Sequence, residues 1–244
     1  MKRILTSLAL GAFALAMQAQ TPNTGITGTM HDLSINSGGT GLGATTYTQV
    51  CKFCHSPHGA APASSQVIPL WGHMTTTASY TMYNTTNNPN SMMNPLTIVD
   101  GAPSGPSMAC LSCHDGTVAV NARMAGGYSV SYGAMNTAGT HYADFSISGS
   151  GTTTMGTLIK HTVGKLTGTN VDLTTVHPIS VTYDPVLQPA LQPTPIAPAK
   201  IFQGKVQCAS CHDVHNWSPD GGTTTLFLRD TTDGSKLCLD CHIK

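Results

Sequence analysis

The chain has 244 residues, with eleven Lys and Arg against eleven acidic residues, so its formal net charge is zero; every acidic residue is Asp. Only 9% of the residues are charged and 6% are aromatic, too few carboxylates to point to hydrolytic chemistry and no basic surface to hold nucleic acid. Something other than ordinary side chains has to supply much of the core.

At the N-terminus, Lys2 and Arg3 precede an apolar run from Ile4 to Met17, with small residues at Ala16 and Ala19. This is the pattern of a secretory signal peptide over residues 1–19. No later stretch approaches the eighteen or so apolar residues of a membrane span, so the expected product is an exported, soluble chain of roughly 225 residues without a membrane span. Long Thr/Ser/Gly/Asn tracts then follow, among them "TGITGTMHDLSINSGGTGLGATT" and "TMYNTTNNPNSMMNP". They hold neither a helical nor a strand period and predict little regular structure. Short helices are expected around "SMACLSCHDGTVAVNARM" and "GSKLCLDCHIK", and short strands at "HPISVTY" and "TTLFLRD". Prolines 185, 189, 193, 195 and 198 predict an extended surface connector between two compact parts.

All eight cysteines fall into four C-x-x-C pairs, each followed at once by histidine: Cys51/Cys54/His55, Cys110/Cys113/His114, Cys208/Cys211/His212 and Cys238/Cys241/His242. C-x-x-C-H attaches c-type haem, because both sulfurs form thioethers with the porphyrin and the next imidazole reaches the iron from the same side. Two Cys₄ zinc sites or four disulfides would use the cysteines equally well. Neither needs the histidines, which at eleven in 244 residues would follow all four pairs by chance with a probability on the order of 10⁻⁶. The expectation is therefore four covalent haems. Each is a large apolar disc whose burial supplies the missing core. The fold class expected is a loop-rich, mostly irregular multihaem cytochrome with a few short helices and minor strands. Residues 20–244 would form one tetrahaem domain: a first haem pair over 20–130, an intervening segment over 131–170 and a second pair over 171–244. With the haem propionates added, the protein should be acidic, which argues further against nucleic acid as a partner.

Seven histidines remain for the sixth iron position: His31, His58, His73, His141, His161, His177 and His215. Methionines such as Met74, Met92, Met93, Met108 and Met124 are an alternative that would raise the reduction potential. With histidines in surplus, two histidines per iron and low potentials are expected, and the methionines are expected to pack near haem faces. An internal repeat selects among the seven. The order His, C-x-x-C-H-x-x-H, C-L-x-C-H occurs twice, first as His31, "CKFCHSPH" and "CLSCH", then as His177, "CASCHDVH" and "CLDCH". His31, His58, His177 and His215 are the distal candidates, with His73 in reserve and His161 and His141 behind it. His58, placed one helical turn beyond His55, should project from the same face and so ligate a different haem. His177 is held extended by Pro178.

The motifs "HDLS", "CKFCHSPHGA", "PLWGH", "CLSCHDGTVAVN", "HPIS", "CASCHDVHN" and "CLDCHIK" resemble those of multihaem cytochromes with doubled C-x-x-C-H. In particular they are similar to tetrahaem outer-surface cytochromes of metal-reducing bacteria that polymerise into extracellular nanowires. The resemblance implies bis-histidine ligation throughout, haems stacked in a continuous chain, and a distal ligand contributed across the subunit boundary. The expected function is electron transfer rather than catalysis, as the repeating unit of a homopolymer that passes electrons to other redox proteins or extracellular acceptors. The rivals are a monomeric periplasmic or outer-surface carrier and a multihaem reductase with one open iron. No Ser-His-Asp set or Gly-rich nucleotide loop supports an enzyme.

Overall fold

The computed structural model describes residues 25–27, 29, 31–34, 43–44, 48–56, 70–117, 135–136, 147–148, 158–159, 163–216 and 227–244. The expected signal peptide, His58, His141, His161 and Met124 lie outside the described residues.

Regular structure is sparse, as the composition predicts. In chain order the described elements are β1 (Gly43–Ala44), β2 (Ser79–Thr81), α1 (Gly105–His114), β3 (Met135–Asn136), β4 (Ile147–Ser148), β5 (Leu158–Ile159), β6 (Lys165–Thr167), β7 (Asn170–Asp172), β8 (Val181–Thr182), β9 (Lys205–Val206), α2 (Cys208–Cys211) and α3 (Lys236–Leu239). The largest described sheet has the order β2-β7-β6: β6 and β7 form an antiparallel hairpin, and β7 runs parallel to β2 with Val171 opposite Tyr80. β8 pairs with β9, Val181 opposite Val206.

Helix α1 explains itself residue by residue. Pro106 sits in its first turn, where a missing N–H costs nothing. Ser107, Ala109 and Ser112 are small enough to let neighbours approach closely, and all three are buried with Leu111. It stops at His114: the Asp115 amide caps onto Leu111 O, and Gly116 turns left-handed at φ +77°. The expected longer helix through "DGTVAVNARM" therefore ends early, its residues from 118 lying outside the described ones.

The described core unites sequence from both halves. Met82 and Leu111 pack with Val171, Leu173 and Ile179, flanked by Tyr80, Val99, Val163 and Cys208. A second cluster joins Trp71 and Ala109 to Cys54 and Met108. Of the methionines expected as filler, Met108 does pack in this way, whereas Met92 is 95% exposed.

The proline-rich stretch 184–198 differs from the extended connector expected. Asp184 opens it by accepting hydrogen bonds from the Val186 and Leu187 amides, and successive turns follow. It then straps the C-terminal motif: Gln192 N donates to Cys241 O, Ile196 N to Asp240 O and Ile243 N to Ala190 O. Prolines lack donors but spare the amides between them, and those amides find the carbonyls of the last C-x-x-C-H turn.

Candidate haem sites

Every C-x-x-C-H is wound as a helical turn. His55 N donates to Cys51 O (2.9 Å), His212 N to Cys208 O (3.0 Å) and His242 N to Cys238 O (2.9 Å), while Cys110, Cys113 and His114 are the last turn of α1. This i to i+4 closure puts two sulfurs and one imidazole on one face, as attachment to a flat macrocycle requires. No disulfide joins any of the eight cysteines in this structure. Among the described residues no group of three or more His, Cys, Asp or Glu converges on a bare metal site.

The four motifs are neighbours. The Cys54 thiol lies close enough to Cys113 to feel its charge, Cys110 hydrogen-bonds Cys208, and Cys211 feels Cys238. Burial pushes the Cys54 and Cys113 thiols up to about 12, so both are neutral, low-polarity walls. Ser107 of α1 ties the second motif to the third by accepting the Cys208 amide (2.9 Å).

Three distal candidates face proximal imidazoles. Ring centres are 6.0 Å apart for His31 and His114, 6.3 Å for His55 and His215, and 6.3 Å for His177 and His242. Two metal–imidazole bonds of about 2 Å, plus about 1 Å from each ligating nitrogen to its ring centre, span about 6 Å. The pairs thus stand at the separation two axial ligands of one iron need.

Proton placement also suits a metal. Burial, reinforced by His114, His212 and His215, holds His31 down at about 4, hence neutral. Its Nδ1 is shut from solvent with no hydrogen-bond partner. Burial lowers His212 and His242 as well, the latter helped by His177. His177 Nδ1 donates to the Pro178 carbonyl (3.0 Å), which leaves Nε2 with the lone pair. The residues present fit haem.

Beyond the third motif the chain leaves the helical turn at once. His212 is extended (ψ 144°) because its backbone pairs with Leu228. His215 instead comes from the turn after it, where the His215 amide donates to Asp213 Oδ1 (3.1 Å) and Asn216 N to Asp213 O. Of the strand expected at "TTLFLRD", the described part contributes this single bridge.

His73 is placed differently from the other candidates. It is 2% exposed, its Nδ1 donates to Met74 O (2.9 Å), and its Nε2 lies 3.6 Å from the Cys113 sulfur. Sequence reasoning missed Phe227, whose ring meets that of His31 edge-on at 4.5 Å. It also missed Arg229, which holds Asp213 beside His215. Their positions in the repeat, level with Leu70 and Gly72, were the available signal.

Residues 200–244, which take in the third and fourth motifs, match the family model described as a doubled CXXCH motif. The match supports a multihaem c-type cytochrome, and the C-x-x-C-H motifs indicate covalent binding of haem c. Compared with curated proteins, the chain finds no match. Among the described residues no helix is long and apolar enough to cross a membrane.

Proposed function

We propose that the protein is a tetrahaem c-type cytochrome that transfers electrons and catalyses no reaction of its own. Haem supplies one-electron chemistry between ferric and ferrous iron. Cys51/Cys54, Cys110/Cys113, Cys208/Cys211 and Cys238/Cys241 hold the four groups, with His55, His114, His212 and His242 as proximal ligands. His31 supplies the sixth ligand to the iron on His114, and His177 that to the iron on His242. His58 is assigned a distal role on the sequence repeat alone. A second imidazole closes the position that a substrate would need and favours a low potential. The observation that carries this reading is the axial-ligand spacing of the histidine pairs, 6.0–6.3 Å.

The finer reading is an exported chain that repeats in an extracellular conducting filament, supported by the resemblance of its motifs to polymerising outer-surface cytochromes. Intact mass and a pyridine haemochrome assay should report four haems per chain, and carbon monoxide should leave the reduced spectrum unchanged. A haem-free zinc protein would overturn the cytochrome, and a carbon-monoxide-binding fraction would favour a reductase. Electron microscopy of native material should show filaments; discrete particles at every concentration would reject polymerisation in favour of a monomeric carrier.

A further inference from the structure

The pair formed by His55 and His215 crosses the repeat. His55 belongs to the first motif and His215 to the turn after the third, yet their rings lie 6.3 Å apart and nearly parallel, 22° between planes. The His215 turn is built to aim. Arg229, buried at 8% exposure, donates from Nε to Ala209 O (2.7 Å) and from Nη1 to Asp213 Oδ2 (2.9 Å). The other Asp213 oxygen lies 3.7 Å from His215 Nδ1, so the carboxylate faces one ring nitrogen and leaves Nε2 to a metal. On the opposite side, His55 is fixed by the bridge to Trp71, whose ring meets it edge-on at 6.2 Å.

The geometry points to His215 as the axial ligand, opposite His55, of the haem attached at Cys51 and Cys54. This rests on the haem reading of the motifs and deepens it. Because His212 and His215 are three residues apart, one short segment of the second half then touches two irons, its own and that of the first motif. The halves of the chain become a single redox unit, clasped through metal bonds rather than through a linker. This segment would then hold ligands of two haems, and would link the halves beside the contact between the second and third motifs.

The ring planes give each site a spectroscopic mark. Nearly parallel imidazole planes lift the degeneracy of the iron orbitals that point between the ring ligands, giving a rhombic low-spin ferric signal in electron paramagnetic resonance. Crossed planes, such as the 70° between His177 and His242, leave those orbitals close in energy and give a strongly anisotropic signal.

The test uses the full holoprotein. His215→Ala should keep all four haems by intact mass, lose a rhombic signal, retain the strongly anisotropic one, and gain one high-spin haem that binds carbon monoxide. In a Cys51→Ala/Cys54→Ala background, which carries one haem fewer, the same His215→Ala change should add no high-spin haem. A new carbon-monoxide-binding haem in that background would place His215 on another iron and overturn the assignment, while a haem-free unaltered protein would overturn the cytochrome reading instead. Should the double-cysteine variant not accumulate, brief peroxide treatment of His215→Ala followed by haem-peptide mapping decides the matter, because an open iron is bleached first. Loss confined to the Cys51–Cys54 peptide supports the assignment; loss at another motif refutes it.

Discussion

The described residues on either side of the segments after the first and third motifs pair in the same way and carry different side chains. Ser56 N donates to Leu70 O as Asp213 N donates to Phe227 O, and Gly72 N donates to Cys54 O as Arg229 N donates to Cys211 O. The bridge between His55 and Trp71 is matched by that between His212 and Leu228. Even the left-handed residue recurs, at φ 61° in Leu70 and 59° in Phe227. The repeat therefore recurs in the main-chain pairing of these described residues, while their side chains decide what each copy contacts. In the first copy, Leu70 is 54% exposed and Gly72 presses bare backbone onto Ser56. In the second, Phe227 is 5% exposed against His31, and Arg229 clamps the His215 turn.

That contrast breaks most severely at Phe227. Phe227→Gly would relieve a left-handed residue but remove a buried ring, and large-to-small changes of this kind cost about 3–5 kcal/mol. A net loss of at least about 2 kcal/mol is expected in guanidinium unfolding followed by far-ultraviolet circular dichroism, with a high-spin fraction as His31 loses its neighbour. A change within about 0.5 kcal/mol would show that the ring contact contributes nothing.

At Arg229 the expected effect is next in size. Arg229→Ala leaves the Asp213 carboxylate without its cation and Ala209 O without its donor, worth about 1–3 kcal/mol for partly buried charged partners. The same variant should broaden the rhombic resonance signal assigned to the His55–His215 iron, whereas a purely structural role would lower stability without touching that signal.

The first copy is sensitive at the residue where the second tolerates arginine. A Cβ on Gly72 would stand 2.8 Å from Ser56 Cβ and 3.2 Å from the His55 carbonyl carbon. Gly72→Ala should therefore cost about 1–3 kcal/mol, as overpacking does, and should perturb the iron on His55 before any other. An unchanged melting transition would mean that the loop yields freely.

How much of this was legible beforehand differs between site and fold. The helical turn of each C-x-x-C-H was legible, since its spacing is itself the geometric requirement for attaching a flat macrocycle. The spare histidines were legible as a repeat, but which imidazole His31, His177 and His215 would each face was not. His31 meets His114 and His215 meets His55 through contacts between segments far apart in sequence, and no local period reports those. The sparse regular structure followed from composition, whereas the strap around the last motif did not. Its prolines read as a linker because the carbonyls that accept from the amides between them belong to residues 240 and 241, far along the chain. The turn that delivers His215 has a related origin: the backbone of His212 pairs with Leu228 instead of continuing as a helix.

The mildest change carries the opposite sign and separates main chain from side chain most cleanly. Leu70 adopts the same left-handed conformation as Phe227, which costs a non-glycine residue about 1–2 kcal/mol. More than half of its side chain is in water, so removing it forfeits little burial. Against the gain stands the extra freedom glycine brings to the unfolded chain, roughly 0.5–1 kcal/mol. Leu70→Gly should consequently leave stability unchanged or raise it by up to about 1 kcal/mol, while Phe227→Gly, with the same backbone angle relieved, falls by at least about 2 kcal/mol. Measured side by side under identical denaturant conditions, equal losses at both positions would show that the left-handed residue serves the two loops alike. Opposite signs would show that the repeated backbone is strained in both copies and that only the second has a side chain to offset it.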